Sequence, residues 1–577
     1  MPSILTSIFK RNTLLAALAI FVIGFLSYSN SFNGEFCSDD HITIVTNPAI
    51  RDIGDWSGLW HSFNTRFLVG LSFAFNYQLN GLGVFDYHVL NFLFHMGASF
   101  LVYAFVQTIF QTPALVSDRL VRHKDAVAFY AALIFVCHPV QVQGVTYITQ
   151  RAVSMATLFY LGAVVSYLQF RLGGRKFFYW LAAASMLLGI FCKEFLVTVP
   201  AALFLCEVYF LQLSRGRIGQ LGRSLSPFFV LALLVPALLI LDQRSSTLHL
   251  FHQLKGNAFS RDYFFTEINV LVTYLRMLVL PVNLNHSYDY PIAHGLGQLT
   301  TAGSLAVLAT LLAFGIGAFR KHRVISFTVL WFFLATCVEF AVVCFVHKGV
   351  IYDHWLYLAM LGFALFVPAA ALTLVRDPAK AKVVLIILVA ALSVMTYQRN
   401  RVWQTCASLW EDAVKKSPDD QLPLINLGVE YSRAGHQLKA IACYQKALSI
   451  DRTVDDSRMT RLYINLGTAY GRAGDYEKEI EYNRKALGSD PFNGMAYSNL
   501  GLAYLMTGRY DQALDHARKA VMLGPRDANG YNNLGLVYLY LGELERAEEN
   551  FRRAVAIDPE NANAVSNLNK LLQQKER

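Results

Sequence analysis

Eleven apolar stretches dominate the first two thirds of the chain, near residues 12–29, 87–110, 125–143, 151–170, 177–193, 196–213, 226–242, 299–318, 325–344, 355–374 and 382–397. Runs of about 17–25 apolar residues cross a ~30 Å hydrocarbon core as helices, so the pattern predicts about eleven membrane spans. Lys10 and Arg11 precede the first run, but Ser27–Ser31 holds no small-x-small cleavage site, so that run reads as a retained span. The stretch 263–281 is also apolar, yet it carries Glu267 and Arg276 and stops at Pro281. It reads as an interfacial or re-entrant helix that does not cross. Beyond residue 398 no run is long enough to span.

The last part repeats itself. Asn465-Leu466-Gly467, Asn499-Leu500-Gly501 and Asn533-Leu534-Gly535 recur every 34 residues, and Asn567-Leu568 opens another round. Asn426-Leu427-Gly428 precedes the first of these by 39, which places a five-residue insertion around Arg452–Ser457. A Tyr follows each Gly by three (Tyr431, Tyr470, Tyr504, Tyr538) and a second Gly by seven (Gly435, Gly474, Gly508, Gly542). Ala447, Ala486, Ala520 and Ala554 share one later position, and Pro491, Pro525 and Pro559 close three units. This is the 34-residue tetratricopeptide pattern of paired helices. Trp410, Ala413 and Pro418 match only the second helix of such a unit, so the array grows directly out of the last span, and residues 561–575 read as a cap. The expected fold is all-α: a polytopic helical membrane domain over 1–398, then an α-solenoid over 399–577.

Composition sharpens that division. The 577 residues are 55% hydrophobic and 16% charged, against about 25% charged in a soluble domain. Residues 1–398 hold 26 Lys/Arg and 17 Asp/Glu, and the rest hold 24 and 23. Basic clusters recur at Lys10–Arg11, Arg119–Lys124, Arg171–Lys176, Arg215–Arg223, Arg320–Arg323 and Arg376–Lys382. Eleven spans put all six on one side, which makes the N-terminus cytoplasmic and the repeats extracytoplasmic. The expected setting is a bacterial inner membrane with the repeats in the periplasm. The net charge of +10 is then mainly the positive-inside bias, not a nucleic-acid footprint.

Candidate chemistry lies at the non-cytoplasmic ends of the spans, because charge near lipid is costly and functional. Phe36-Cys37-Ser38-Asp39-Asp40-His41 follows the first span. Adjacent carboxylates suit general-base work, since each raises the other's pKa, or one of them caps a juxtamembrane helix. His88, Asn91 and His95 fall on successive turns of one helix, as a polar stripe or as satisfied core residues. His138-Pro139 closes the third span, Arg151 opens the fourth, and Lys193-Glu194 follows the fifth. An Arg and a Lys there fit the phosphates of a polyprenyl-linked donor, although Lys193-Glu194 also reads as a self-neutralising pair. Glu339 falls inside the ninth span, and Asp353-His354 precede the tenth. No P-loop, metal spacing, nucleophile elbow or external Asp-x-Asp appears, so neither cofactor nor divalent metal is implied. Of eight cysteines only Cys37 is in an external loop, and no spacing pairs Cys406 or Cys443 with another.

Taken together, these residues resemble the GT-C membrane glycosyltransferases, and the whole chain resembles the transmembrane and tetratricopeptide-repeat O-mannosyltransferase type. The matching stretches run in order: Asp39-Asp40 with Asn47-Pro48; Arg66 before Leu71-Ser72-Phe73; Tyr87-His88, Asn91 and His95; His138-Pro139 and Arg151; Lys193-Glu194; Leu278 with Pro281-Val282-Asn283-Leu284; and Asp353-His354 with Tyr357-Leu358. Two places depart from that pattern: Arg66-Phe67 stands for Arg-Pro, and Asp353-His354-Trp355 for Glu-His-Arg. The resemblance implies transfer of a sugar from a polyprenyl-phosphate donor to an acceptor hydroxyl with inversion. Asp39 or Asp40 would be the base, and Arg66, His88, His138, Arg151, Lys193, Glu194 and His354 would bind donor phosphate or substrate. The repeats would present a protein (or glycan) acceptor, with protein Ser/Thr as the expected hydroxyl beside two alternatives: the same chemistry on a lipid or cell-surface polysaccharide, and a non-catalytic membrane-anchored scaffold.

Overall fold

The computed structural model describes residues 11–211, 218–234, 237, 259–346, 349–450 and 456–575. Every regular element among them is helical. They form two compact units, Met1–Asp412 and Ala413–Arg577. The first unit runs past the composition change at 398. Residues 399–412 are tied into it by a buried Arg399–Asp412 ion pair (2.7 Å) and by a disulfide between Cys37 and Cys406.

Each expected apolar run that is described contains a helix, but many of these helices are shorter than the run. Five are long and apolar enough to cross a membrane: Val84–Ile109, Ile148–Gly173, Leu299–Arg320, Arg323–Phe345 and Pro378–Val402. The bent pair Arg119–Cys137 and Pro139–Val145, at 49°, makes a sixth if taken as one span. Asn12–Tyr28, Lys176–Ile190, Leu221–Ala232 and Met360–Leu374 are apolar but shorter. Among the described residues, five or six helices thus pass as crossings by length and composition alone, with four shorter apolar helices beside them. The shortening has local causes. Pro139 has no N–H to continue the helix that ends at Cys137. Glu194–Thr198 and Asp353–Leu356 wind as 3₁₀ turns, so the helices beyond them start only at Val199 and Met360. The stretch expected to be interfacial is a regular helix, Arg261–Val279, packed on Leu299–Gly317 and Arg323–Val346 with Glu267 buried. The far end of the run 226–242, the cations Lys10, Arg215 and Arg217, and most of the insertion at 452–457 lie outside the described residues.

The bundle has two chemically distinct ends. At one, Ala114 N–H donates to Phe210 O (3.2 Å), Arg323 to Tyr209 O (3.2 Å) and Tyr179 to Ser224 O (3.1 Å), while Arg171 pairs with Glu207. The basic clusters at 119–124, 171–176 and 320–323 belong to this end. The loops carrying the candidate site residues meet at the other.

In the second unit the helices pair as the repeats require: Gln421–Arg433 with Gln437–Ser449, Asp456–Arg472 with Tyr476–Ser489, Gly494–Met506 with Tyr510–Leu523, and Ala528–Tyr540 with Leu544–Ile557. Ala562–Lys575 closes the array. A Cβ at Gly535 would lie 2.7 Å from the Phe551 ring, which is why that site admits only glycine between two close helices. Gly435, Gly474, Gly508 and Gly542 turn each pair at φ +75 to +89°, the left-handed conformation that glycine adopts without strain.

Candidate functional site

The site is built from loops brought together by long-range hydrogen bonds. Gly34 leaves the first helix so closely packed that a Cβ would lie 3.0 Å from Trp403 O and 3.3 Å from His88 Nε2. His88, buried, donates from Nε2 to Gly34 O at 3.0 Å and fixes where the loop begins. Three residues on, Cys37 is bonded to Cys406, and Glu35 Oε2 accepts the Cys406 N–H at 3.1 Å. This overturns the expectation that no bridge involves Cys406. The partners stand 369 residues apart, so no local spacing reveals them. Ser38 then takes φ +55°, a left-handed turn for a residue with a Cβ.

That turn sends the two aspartates to opposite fates. Asp40 is buried, and its oxygens accept N–H groups from Cys37 (3.1 Å) and Thr149 (2.8 Å). It stands before the short π-helix His41–Val45 but does not cap it with its side chain. Burial pushes its carboxyl up to about 7, and the neighbouring Asp39 charge adds to the rise. Asp39 is exposed, its backbone N–H donating to Tyr147 Oη at 3.0 Å. Its carboxylate accepts no hydrogen bond among the described residues.

Around Asp39 lies a group that sequence reading missed. Tyr147 stacks on Trp403 with centroids 5.2 Å apart, and His286 meets Tyr147, Trp403 and Trp410 edge-on at 5.5, 5.2 and 5.0 Å. His286 Nε2 lies 3.4 Å from Ser38 Oγ. Burial first, then the Arg399 charge, lowers the His286 pKa to about 3, so the ring is neutral. Two of the chain's seven tryptophans directly after the last apolar run were the one available signal.

The expected donor-binding residues separate into two groups. Arg66 and Glu194 form a half-exposed ion pair at 3.0 Å, with a second bond from Arg66 Nε at 3.3 Å. Glu194 thus bonds Arg66 and not its neighbour Lys193, which is buried in extended backbone with Glu339 as its main opposite charge and Glu194 as a weaker one. His354 donates from Nδ1 to Gln143 Oε1 at 3.0 Å, and Gln143 also takes its backbone N–H at 2.9 Å. Burial, with Lys193, His286 and Arg66 nearby, holds His354 well below the usual imidazole range, so it is neutral with an acceptor at Nε2.

His138 and Arg151 are committed to the framework. Val140 N–H donates to His138 Nδ1 (3.3 Å), so Nε2 carries the proton that binds Leu278 O (3.0 Å). Arg151 is wholly buried and meets only neutral acceptors: Asn91 Oδ1 (2.6 Å), Ser72 O and Oγ (both 3.1 Å) and Tyr87 O (3.0 Å), with its guanidinium over Phe73 at 4.5 Å. Asn91 donates in turn to Val145 O and Ile148 O. His95 lies below, between Tyr357 Oη (2.5 Å) and Val136 O (3.0 Å).

Residues 423–454, 460–493 and 496–560 match the tetratricopeptide repeat family. Over 465 residues the chain is 26% identical to "Protein O-mannosyl-transferase F38B6.6" of Caenorhabditis elegans, covering 75% of this chain and 62% of that one. It is 24% identical over 492 residues to "Protein O-mannosyl-transferase TMTC4" of Homo sapiens, covering 74% and 65%. The chain thus spans less than two thirds of the length of these curated relatives. Both are eukaryotic, which gives the expected bacterial setting no support. Among solved structures it is similar to the MamA protein at 24% identity, covering 27% of this chain and 83% of that one, with a TM-score of 0.23. The chain's apolar helices fit an integral membrane protein, its homologues are the TMTC-type protein O-mannosyl-transferases, and its C-terminal part carries tetratricopeptide repeats.

Proposed function

We propose that this chain is a membrane glycosyltransferase that moves a sugar, mannose by the names of its relatives, from a polyprenyl phosphate to a protein Ser/Thr hydroxyl on the extracytoplasmic side. The observation that carries the reading is the exposed Asp39 carboxylate on a loop pinned by Asp40, Tyr147 and the Cys37–Cys406 bridge. A base needs a free carboxylate on a fixed frame, and Asp40 has both oxygens occupied. Asp39 takes the acceptor proton as the hydroxyl oxygen attacks the anomeric carbon and the bond to the donor phosphate breaks. The leaving phosphate gains negative charge, which Arg66 and Lys193 offset. His354, neutral, accepts from a sugar hydroxyl at Nε2. His88, His138 and Arg151 hold the loops in place. The repeats recruit the acceptor and raise its local concentration.

The test is glycoproteomics of the cell envelope with wild-type chain, Asp39→Asn and Asp40→Asn at equal expression. Asp39→Asn should remove the modified Ser/Thr peptides, while Asp40→Asn leaves a reduced signal. Undiminished transfer by Asp39→Asn defeats the assignment. A peptide profile indifferent to the wild-type chain itself favours the polysaccharide or scaffold alternatives.

A further inference from the structure

Gln143 is buried in the short helical turn Val142–Val145, and its amide stands between the imidazoles of His286 and His354. The orientation of that amide follows from a backbone donor. The His354 backbone N–H can only donate, so the amide atom 2.9 Å from it is the oxygen, Oε1. His354 Nδ1 lies 3.0 Å from the same oxygen and therefore carries a proton, which leaves its Nε2 bare. The other amide atom, Gln143 Nε2, can likewise only donate. It faces His286 Nδ1 at 3.4 Å, so that nitrogen is bare and the single proton of the neutral ring sits on Nε2. His286 Nε2 lies 3.4 Å from Ser38 Oγ and donates to it.

The order continues into the aspartate loop. Ser38 Oγ, having accepted from His286, keeps its own hydrogen for Tyr147 Oη, and that oxygen also receives the Asp39 N–H at 3.0 Å. The donors therefore run in one direction from His354 through Gln143, His286 and Ser38 to Tyr147, each orientation set by the one before. Tyr147, Trp403 and Trp410 meet the His286 ring edge-on, so turning it over would displace three aromatic neighbours.

We propose that Gln143 is a positioning residue that sets the tautomers of His286 and His354 together, and so ties the sugar-facing imidazole to the loop of Asp39. The consequence rests on the glycosyl-transfer reading above, whereas the geometry does not. One amide gives His354 a bare nitrogen for a sugar hydroxyl and keeps Ser38 turned toward Tyr147, where the Asp39 backbone is held. Neither imidazole gains or loses a proton in this role.

The tautomers are read by nitrogen-15 NMR of the full chain in phosphatidylcholine nanodiscs with its 15 histidines labelled. The two signals are identified by their loss in His286→Gln and His354→Gln. The wild type should show His354 protonated at Nδ1 and His286 at Nε2. Gln143→Glu offers oxygen on both arms, so His286 should gain a proton at Nδ1 while His354 stays as it was. The opposite tautomer of either ring in the wild type, or a His286 indifferent to Gln143→Glu, overturns the proposal. Glycopeptide yield at equal expression gives a second readout. His286→Gln places an amide N–H near the lost Nε2–H and should keep most of the yield. His286→Phe fills the aromatic setting without a donor and should lose about tenfold. Full yield from His286→Phe reduces His286 to packing and overturns the proposal. The spectra need neither donor nor acceptor, so the expected tautomers in a wild-type chain that transfers nothing uphold the coupling and defeat the glycosyltransferase reading.

Discussion

Asp40 combines burial with two N–H donors, and these act on its carboxyl in opposite directions. Burial prevails and the pKa rises from 3.8 to about 7. Between those values the folded chain holds a proton that the unfolded chain has released, so this group's contribution to stability falls as pH climbs from about 4 to about 7. Asp40→Asn should flatten that slope, removing a loss on the order of a few kcal/mol, as read from thermal unfolding in detergent at pH 4.5 and 7.5. An unchanged slope would place the pH sensitivity elsewhere. Arg151 presents a second residue-scale test. Its donors saturate Asn91, Ser72 and Tyr87, and lysine cannot reach all three. Arg151→Lys should cost about 3 kcal/mol of stability with the donor KM intact. A raised KM on an unchanged fold would return Arg151 to phosphate binding.

The disulfide ties a loop to the segment that follows helix Pro378–Val402. Cys37→Ser should lower unfolding stability by about 2–4 kcal/mol and free the Asp39 loop. Peptide mapping without reductant should recover Cys37 and Cys406 in one cross-linked fragment, and two separately alkylated cysteines would refute the bridge. Elements of this kind mark the limit of sequence reading here. The repeats were legible because their determinants are local: a 34-residue period, a turn glycine, a close-contact glycine. The apolar runs were legible for the same reason, but their ends were not. Pro139 was visible, yet the run around it continued to 143 because apolarity does not register a missing N–H. The pairings that shape the site, Arg66 with Glu194 and Cys37 with Cys406, cross 128 and 369 residues, and nothing in the intervening sequence encodes the distance. Asp39 and Asp40 were legible as a pair, whereas their division into an exposed and a buried partner depends on Ser38 turning left-handed and on Thr149 arriving from another loop.

The whole chain joins a helical bundle to a repeat array, and the proposed chemistry draws only on the first unit. Removing Ala413–Arg577 should therefore leave the first unit inserted with its Cys37–Cys406 bridge intact, while transfer to the native acceptor falls at least tenfold, as read by glycopeptide mass spectrometry. Full transfer after truncation would take acceptor recruitment away from the repeats. The Cys37–Cys406 bridge also has a meaning in time. Cys37 is made 369 residues before its partner, a delay of roughly 20–75 s at ~5–20 residues per second of synthesis. Through that interval its thiol is open to mispairing, and the aspartate loop is unanchored. The bridge can close only when nearly all the bundle has been made, so its formation reports a completed bundle, and a chain arrested midway never fixes the aspartate loop.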